Sequence, residues 1–226
     1  MVITERARER GNMIKAIIFD FDGVITESNN IKANGYLELF AEFPEAIPEF
    51  KEYHRNHFGA FRNEKIRYFY AEILGQELTP EKSGELVHKY ADAVFGQMVT
   101  APYVKGIIDF LEQNKEQYRF FIVTGCPTEE VKEVARQRGI AHYFRAIYGS
   151  PKDKAENIRG LLLEHKLKNK EVIFIGDTES DWEYAARTRV PFVARLTPES
   201  GCLAQSYPYI IKDMTELTSA IERLST

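Results

Sequence analysis

Two aspartates, Asp20 and Asp22, follow the apolar run Ala16–Phe19 in this chain of 226 residues. Because alternate residues of an extended strand point to the same face, the two carboxylates begin as neighbours at a strand end. Like charges at that spacing are stable only when a cation binds them or when one of them keeps its proton. Gly23 then lets the chain leave the strand through backbone conformations that are closed to residues with a Cβ. The segment therefore predicts a site for chemistry on an anion.

Polar residues also follow other short apolar runs. Thr124 and Gly125 follow one such run, and Asp177, Glu179 and Asp181 follow another. In a parallel sheet, the crevice beyond the carboxyl ends of the strands brings such residues into one ligand site. A cluster of carboxylates calls for a divalent cation, and oxygen-only ligands favour Mg²⁺ over zinc or copper. The sequence therefore predicts a magnesium site at this edge of the sheet.

A site for an anionic substrate also needs positive groups, and residues 150–154 supply two lysines. Lys154 stands at the start of a predicted helix, where its ammonium can neutralise the carboxylates and hold a phosphate. Lys152 is a rival for this role, and Lys154 is favoured over it. Thr124 and the backbone N–H of Gly125 are expected to bind further phosphate oxygens at a helix N-terminus.

The apolar runs are too short for helices and too continuous for half-exposed strands, which predicts strands covered on both faces. These runs are Ala16–Phe19, Phe120–Val123, Ala146–Tyr148, Val172–Ile175, Phe192–Ala194 and Tyr209–Ile211. From about Tyr103 they alternate with amphipathic stretches. This alternation predicts an α/β fold, a Rossmann-like doubly wound parallel sheet with helices on both sides.

The interval before Tyr103 differs, because its apolar spacing predicts helices and no strand. One helix is expected around Tyr36, a second one ends at Gly75, and a third one begins at Thr79-Pro80, a good N-cap and first-turn pair. About 70 residues are too many for an ordinary loop. We therefore expect an inserted all-α cap domain over residues 31–99 and a core formed by residues 1–30 and 100–226.

Composition excludes several functional classes. A formal net charge of −4 without a basic stripe argues against a nucleic-acid partner. No apolar run approaches the roughly 20 residues of a membrane-spanning helix, and Met1–Asn12 lacks the apolar centre of a signal peptide. Two cysteines, Cys126 and Cys202, make no disulfide framework, so we expect a cytoplasmic protein. Cys126 is disfavoured as a nucleophile because no basic residue lies near it in the sequence. The oligomeric state stays open.

Four motifs stand in order along nearly the whole chain: Asp20-Phe21-Asp22-Gly23-Val24, Ile122-Val123-Thr124-Gly125, Lys154 after Gly149-Ser150-Pro151, and Gly176-Asp177-Thr178-Glu179-Ser180-Asp181. This ordered set resembles the haloacid dehalogenase (HAD) superfamily of phosphatases with a helical cap, of the phosphoglycolate phosphatase and beta-phosphoglucomutase type. The resemblance implies a HAD-like core and a phosphoric monoester hydrolase.

The resemblance also implies roles. Asp20 is expected to attack phosphorus and become an aspartyl phosphate, and Asp22 to protonate the leaving alcohol and then to accept a proton from water. Thr124 and Lys154 are expected to stabilise the transferring phosphoryl group. The residues expected to bind Mg²⁺ are Asp20, Asp22 through its backbone carbonyl, Asp177 and, in support, Asp181.

The cap carries a second signal. Gly59-Ala60-Phe61-Arg62 resembles the cap specificity loop of relatives that act on phosphosugars, in which the arginine can bind a distal anionic group. A solvated basic helix end is the alternative for this patch. His54 and His57 have the spacing of a metal pair, but no carboxylate partner stands out in the sequence.

The expected function is hydrolysis of a small phosphorylated metabolite by a magnesium-dependent phosphatase. Asp22 favours a phosphate ester, because the resemblance implies that relatives acting on carbon–halogen or carbon–phosphorus bonds lack this acid. Two alternatives stay open: a phosphosugar mutase of the same fold, and a non-catalytic protein that binds a phosphorylated ligand.

Overall fold

The computed structural model describes residues 14–197 and 207–224. The charged segment Met1–Asn12 and Cys202 lie outside these residues. Within them the strands are β1 Ala16–Phe19, β2 Arg119–Pro127, β3 Phe144–Ser150, β4 Val172–Gly176, β5 Phe192–Arg195 and β6 Ile210–Ile211. They form one sheet in the order β3-β2-β1-β4-β5-β6, and every neighbouring pair is parallel.

Helices follow or precede most strands. Their bounds are α1 Asn29–Leu39, α2 Ile47–Asn56, α3 Arg62–Tyr68, α4 Pro80–Thr100, α5 Ile107–Asn114, α6 Thr128–Gln137, α7 Lys154–Glu164, α8 Glu179–Thr188 and α9 Leu217–Leu224. A π-helical stretch, Phe69–Ile73, extends α3. Among the described helices, none is both long and apolar enough to cross a membrane.

Strand β1 shows why the sheet is covered on both faces. Its side chains alternate between two buried clusters, with Ile17 and Phe19 in one and Ala16 and Ile18 in the other. Residues of α5, α6 and α9 share the first cluster, and residues of α7 and α8 share the second. The predicted fold class, a doubly wound parallel sheet with helices on both sides and a helical insertion, is therefore confirmed.

Residues 29–100, all of which are described, are helical or irregular and contain no strand. The third predicted helix begins where expected, since the Thr79 hydroxyl accepts a hydrogen bond from the N–H of Lys82 at 3.2 Å. Helix α2 was not predicted; most of its residues are polar, and Phe50 is its only buried side chain. The bounds of the cap domain stay a prediction.

Aromatic side chains fill the interior of the helical insertion. The rings of Phe40 and Phe69 stack with their centroids 3.7 Å apart, and Phe50 packs edge-on against Phe69 at 5.6 Å. The rings of Tyr36 and Tyr90 lie 4.3 Å apart, which joins α1 to α4. These contacts belong to the same apolar cluster as β1, so the insertion is continuous with the core under one face of the sheet.

The contact between α1 and α4 is tightest at Gly35. A Cβ at this position would overlap the side chain of Val94 and approach the ring of Tyr90 to 3.1 Å. Because a β-branched valine cannot move aside easily, we expect G35A to lose about 1–3 kcal/mol of unfolding free energy. Chemical denaturation followed by circular dichroism measures this loss.

Gly96, on the exposed side of α4, is the matched control. A Cβ there meets nothing within 4 Å. We expect G96A to gain about 0.5–1 kcal/mol, the ordinary advantage of alanine over glycine inside a helix. If G35A and G96A changed stability in the same direction, the close approach of the two helices would be refuted.

Candidate active site

Asp20 stands directly after β1, at the carboxyl edge of the sheet, and is only 5% exposed. Its Oδ1 accepts a hydrogen bond from the N–H of Phe21 at 2.7 Å, and its Oδ2 lies 2.8 Å from the ammonium of Lys154. Burial raises the pKa of Asp20 to about 7; Lys154 opposes this rise, whereas the charges of Asp181 and Asp22 add to it.

Asp177 follows β4, the strand next to β1, and Asp181 lies in the first turn of α8. Asp20, Asp177 and Asp181 each offer a carboxylate oxygen, and these oxygens lie within 4.8 Å of one another. Burial, together with the charges of Asp181 and Asp20, raises the pKa of Asp177 well above its ordinary value. The amide of Asn29 donates to Asp177 Oδ2 at 2.7 Å.

Two helix caps hold the charged side chains in place. The Thr178 hydroxyl accepts from the N–H of Asp181 at 3.2 Å and donates to its Oδ2 at 2.7 Å. Asp153 caps α7 in the same way, with its Oδ1 accepting from the N–H of Glu156 at 2.7 Å. Lys154 is therefore the first residue of α7, and its ammonium donates to Asp181 Oδ1 at 2.6 Å.

This donor set fits a hard divalent cation. Three buried carboxylates face one buried ammonium, so the cluster keeps an excess of negative charge that a divalent ion would compensate. All the donors are oxygens, which Mg²⁺ and Ca²⁺ prefer. Gly23, at φ +69°, lets the chain pass directly against this cluster, since a Cβ there would overlap the Asp177 carboxylate.

Asp22 turns away from this cluster and lies beside a lysine that sequence reasoning missed. Its Oδ2 pairs with the ammonium of Lys32 on α1, and its Oδ1 accepts from the hydroxyl of Ser28 at 2.6 Å. Burial opposes ionisation of Asp22, but the charge of Lys32 and the hydrogen bonds from Lys32, Ser28 and Cys126 outweigh it and lower the pKa of Asp22. Lys32 lies outside every motif, so only its place on the first helix after β1 could have suggested this role.

Cys126 also contacts Lys32, and its thiol lies 3.4 Å from Asp22 Oδ2. Sequence neighbours offered no cation for this thiol, whereas the fold supplies one from α1. Burial nevertheless raises the pKa of Cys126 to about 11, because the nearby carboxylate of Asp22 offsets part of the effect of Lys32. The thiol is therefore protonated at neutral pH, a state that does not suit a nucleophile.

Three more core residues were singled out in the sequence: Thr124, Gly125 and Lys152. Thr124 is buried in β2 and its hydroxyl accepts from the N–H of Cys126 at 3.2 Å. Gly125 was expected at a helix N-terminus, but β2 continues through a bulge to Pro127 and α6 begins only at Thr128. Lys152 is exposed, so Lys154 is the lysine that contacts Asp20.

Arg62 lies at the start of α3 and reaches from the insertion to the core. Its guanidinium donates two hydrogen bonds to the carboxylate of Glu130 on α6, at 2.8 and 3.0 Å, and stacks over the ring of Tyr90 at 4.6 Å. Its charge thus already has a carboxylate partner. Gly59, in the loop before α3, abuts Ser180 so closely that a Cβ would overlap the serine hydroxyl.

The two histidines near Arg62, His54 and His57, point in different directions. His57 is exposed and its ring contacts the carbonyl of Tyr53 at 3.0 Å, whereas His54 points inward. They do not form a pair with a common ligand, so the structure gives no metal site here among the described residues.

A cavity of about 440 Å³ lies between the sheet edge and the insertion. The core residues that line it include Asp20, Asp22, Thr124, Gly125, Lys154 and Asp177, and the cap residues include Lys32, His54, Arg62 and Lys65. The cavity has the size of a small-molecule site. It brings a buried carboxylate, a second acid and several cations together in one cavity.

Comparison with known proteins identifies the family. A family model described as haloacid dehalogenase-like hydrolase matches residues 17–195, a span that contains Asp20, Thr124, Lys154 and Asp177. The chain belongs to the haloacid dehalogenase-like hydrolases. The expected membership of this superfamily is therefore confirmed.

Individual relatives of this hydrolase are distant. A phosphoglycolate phosphatase from Vibrio cholerae serotype O1 is 26% identical over 115 residues, and the match covers 48% of this chain and 51% of that protein. A haloacid dehalogenase-like hydrolase from Streptococcus pneumoniae has a solved structure that is similar with a TM-score of 0.70 and 25% identity, covering 91% of this chain and 97% of the other.

A third relative shows the fold alone. The structure of CbbY from Rhodobacter sphaeroides, in complex with phosphate, has a TM-score of 0.77 at 17% identity and covers 93% of this chain and 100% of its own. The likeness over whole chains confirms that this hydrolase has a HAD-like core with an inserted helical region.

The Lys32–Asp22 pair can be tested by K32M. The pKa of Asp22 is lowered in the pair, so the pair contributes stability above the ordinary carboxyl range and loses it as the pH falls. In K32M the buried carboxyl loses its counter-ion and takes up a proton more readily. We expect a loss of about 3 kcal/mol at about pH 8 and a smaller loss at about pH 5. Urea unfolding in the presence of EDTA measures both.

Lys82, whose ion pair with Glu85 is exposed, provides the control. We expect K82M to change stability by less than about 0.5 kcal/mol at both pH values. A loss in K32M that did not depend on pH would contradict the charge pairing.

Proposed function

We propose that this hydrolase is a magnesium-dependent phosphatase that cleaves a small phosphate monoester through an aspartyl phosphate on Asp20. The observation that carries the proposal is the contact of Asp20 with Lys154, 2.8 Å apart, in a cavity that Asp22 also lines. A carboxylate, a fixed cation and a second acid are the groups that in-line transfer of a phosphoryl group requires. The similarity to a phosphoglycolate phosphatase over half of each chain supports the same reaction class.

Asp20 would act as the nucleophile. Its Oδ1 is held by the N–H of Phe21, so the carboxylate cannot turn freely in its pocket. Lys154 would remain beside Asp20 and stabilise the negative charge on the transferring phosphoryl oxygens. Thr124 and Gly125, which line the same cavity, would hold the other oxygens of that group.

Asp22 would act first as a general acid and then as a general base. The phosphate dianion of a bound substrate would oppose ionisation of Asp22 and raise its pKa, so that the carboxyl gains the proton that a leaving alkoxide needs. Once the alcohol has left, the pairing with Lys32 would favour the carboxylate again. In this state Asp22 can accept a proton from the water that hydrolyses the aspartyl phosphate.

Asp20 and Asp177, with Asp181 in support, would hold Mg²⁺, and the Asp22 carbonyl is the further predicted ligand. When bound, the ion supplies positive charge that keeps Asp20 ionised and neutralises the phosphate oxygens. Asp181 would also position the neighbouring side chains, because its oxygens accept hydrogen bonds from Thr178 and Lys154.

Residues 31–99 would act as a cap that closes over the substrate and excludes water during attack by Asp20. The Arg62–Glu130 pair joins this cap to the core with side chains that are only 10% and 13% exposed. The role predicted for Arg62 in binding a distal anion would require this pair to open.

Activity on p-nitrophenyl phosphate tests the nucleophile. We expect wild type to release phosphate with Mg²⁺ and not with EDTA, and D20N to lose at least about 10³-fold in kcat, because an amide cannot form the acyl phosphate. E183Q, which removes an exposed acid of α8, should match wild type. Undiminished turnover by D20N would reject the assignment.

Incubation with hexose 1-phosphates distinguishes a phosphatase from a mutase, because a mutase would yield the 6-phosphate rather than inorganic phosphate.

The cation site can be tested apart from activity. We expect Mg²⁺ at about 100 times its Kd to stabilise wild type by about 2.7 kcal/mol and D177N by much less. In EDTA, D177N should melt at a higher temperature than wild type, because one of the repelling buried charges is gone. Differential scanning calorimetry measures both effects, with E183Q as the control. Equal stabilisation of D177N and wild type by Mg²⁺ would place the ion elsewhere.

A further inference from the structure

Lys65 on α3 is a buried cation without a buried counter-ion. The residue is 3% exposed, and its ammonium donates to the carbonyl of Phe58 at 2.7 Å and contacts His54 Nδ1 at 3.1 Å. Among the described residues, no carboxylate lies within 4.0 Å of this ammonium. The rings of Tyr36 and Phe58 lie 5.6 and 5.4 Å away and offer only weak cation–π attraction.

The surroundings disfavour the positive charge. Burial and the ammonium of Lys32 lower the pKa of Lys65 to about 7, although Cys126 and Glu64 oppose this effect. Arg62, one turn earlier on the same helix, has Glu130 as a partner. The contrast marks Lys65 as the cap cation whose charge is uncompensated.

His54 on α2 contacts Lys65 but does not neutralise it. Because its Nδ1 accepts from the Lys65 ammonium, the proton of the neutral ring lies on Nε2. Nε2 is buried and has no hydrogen-bond partner among the described residues. Burial, with the charge of Lys65, lowers the pKa of His54 to about 3, so the ring stays neutral. His54 therefore accepts a hydrogen bond from Lys65 and adds no negative charge that would compensate it.

Both side chains line the cavity that contains Asp20 and Lys154. We propose, on the basis of the phosphatase function above, that Lys65, held in place by His54, forms a second anion subsite, and that the substrate is a phosphate monoester that carries a carboxylate or a second phosphate. An oxyanion there supplies the counter-charge that Lys65 lacks. A neutral sugar hydroxyl supplies no charge.

Matched substrates separate this subsite from the catalytic groups. Phosphoglycolate carries a carboxylate where 2-hydroxyethyl phosphate carries a neutral hydroxyl, and propane-1,3-diol bisphosphate pairs likewise with 3-hydroxypropyl phosphate. We expect K65M to lower kcat/KM for at least one of the two doubly anionic esters by about 10–100-fold, mainly through KM, because a charge-assisted hydrogen bond is lost. For the two neutral-ended esters the change should stay within about threefold. The comparison also shows whether the subsite takes a carboxylate or a phosphate.

Stability provides a second measurement on the same variant. K65M replaces a buried ammonium by an apolar side chain of similar length, so we expect its melting temperature to exceed that of wild type. Lys65 has a pKa of about 7 in the fold against 10.5 for a free lysine. The difference should therefore be largest below pH 7 and shrink as the pH rises towards 10.5. K89M, which changes an exposed lysine of α4, is the control in both measurements.

Equal losses of kcat/KM on all four esters, or no loss on any of them, would overturn the subsite. Failure of the proposed function gives a different result, in which wild type hydrolyses neither these esters nor p-nitrophenyl phosphate. In that case, calorimetric titration with propane-1,3-diol bisphosphate and phosphoglycolate tests the subsite by binding alone. Binding of either one to wild type that K65M weakens at least about tenfold supports the subsite, and equal binding or none rejects it.

Discussion

Repulsion among buried carboxylates at one edge of the sheet constrains the rest of the structure. Strands β1 and β4 are neighbours, with Phe19 paired to Ile175, so the residues that follow them arrive side by side. Asp20 and Asp177 are therefore crowded together by the sheet itself, and burial removes the water that would separate their charges. Lys154 offsets part of this repulsion, and a divalent cation fits the remainder. The repulsion within this cluster lowers the stability of the fold, as is common at functional sites.

The sequence predicted those parts of the site that depend on strand order. Asp20, Thr124 and Asp177 each follow a buried apolar run, and in a parallel sheet the carboxyl ends of the strands meet. Lys154 could be placed because a capping box fixes the helix start next to it. The helical insertion could be recognised from its length and its period, although α2 was missed because only one of its side chains is buried.

Residues that reach the site from helix faces could not be predicted in the same way. Lys32 and Glu130 lie on α1 and α6, and their contacts depend on how those helices pack, which no local pattern encodes. The same limit applies to Arg62 and Lys65, which are one turn apart on α3. No local pattern separates these two cations, whereas packing gives Arg62 a carboxylate and leaves Lys65 facing a cavity.

The ion pair between Arg62 and Glu130 joins the helical insertion to α6 and is well shielded from water. Its two hydrogen bonds and low exposure mean that ambient salt weakens it little. An insertion that opens and closes over the cavity, as proposed, would part these side chains in every cycle. The lifetime of its closed state would then depend on a contact that does not involve Asp20, so throughput could be tuned at this ion pair without altering the chemistry there.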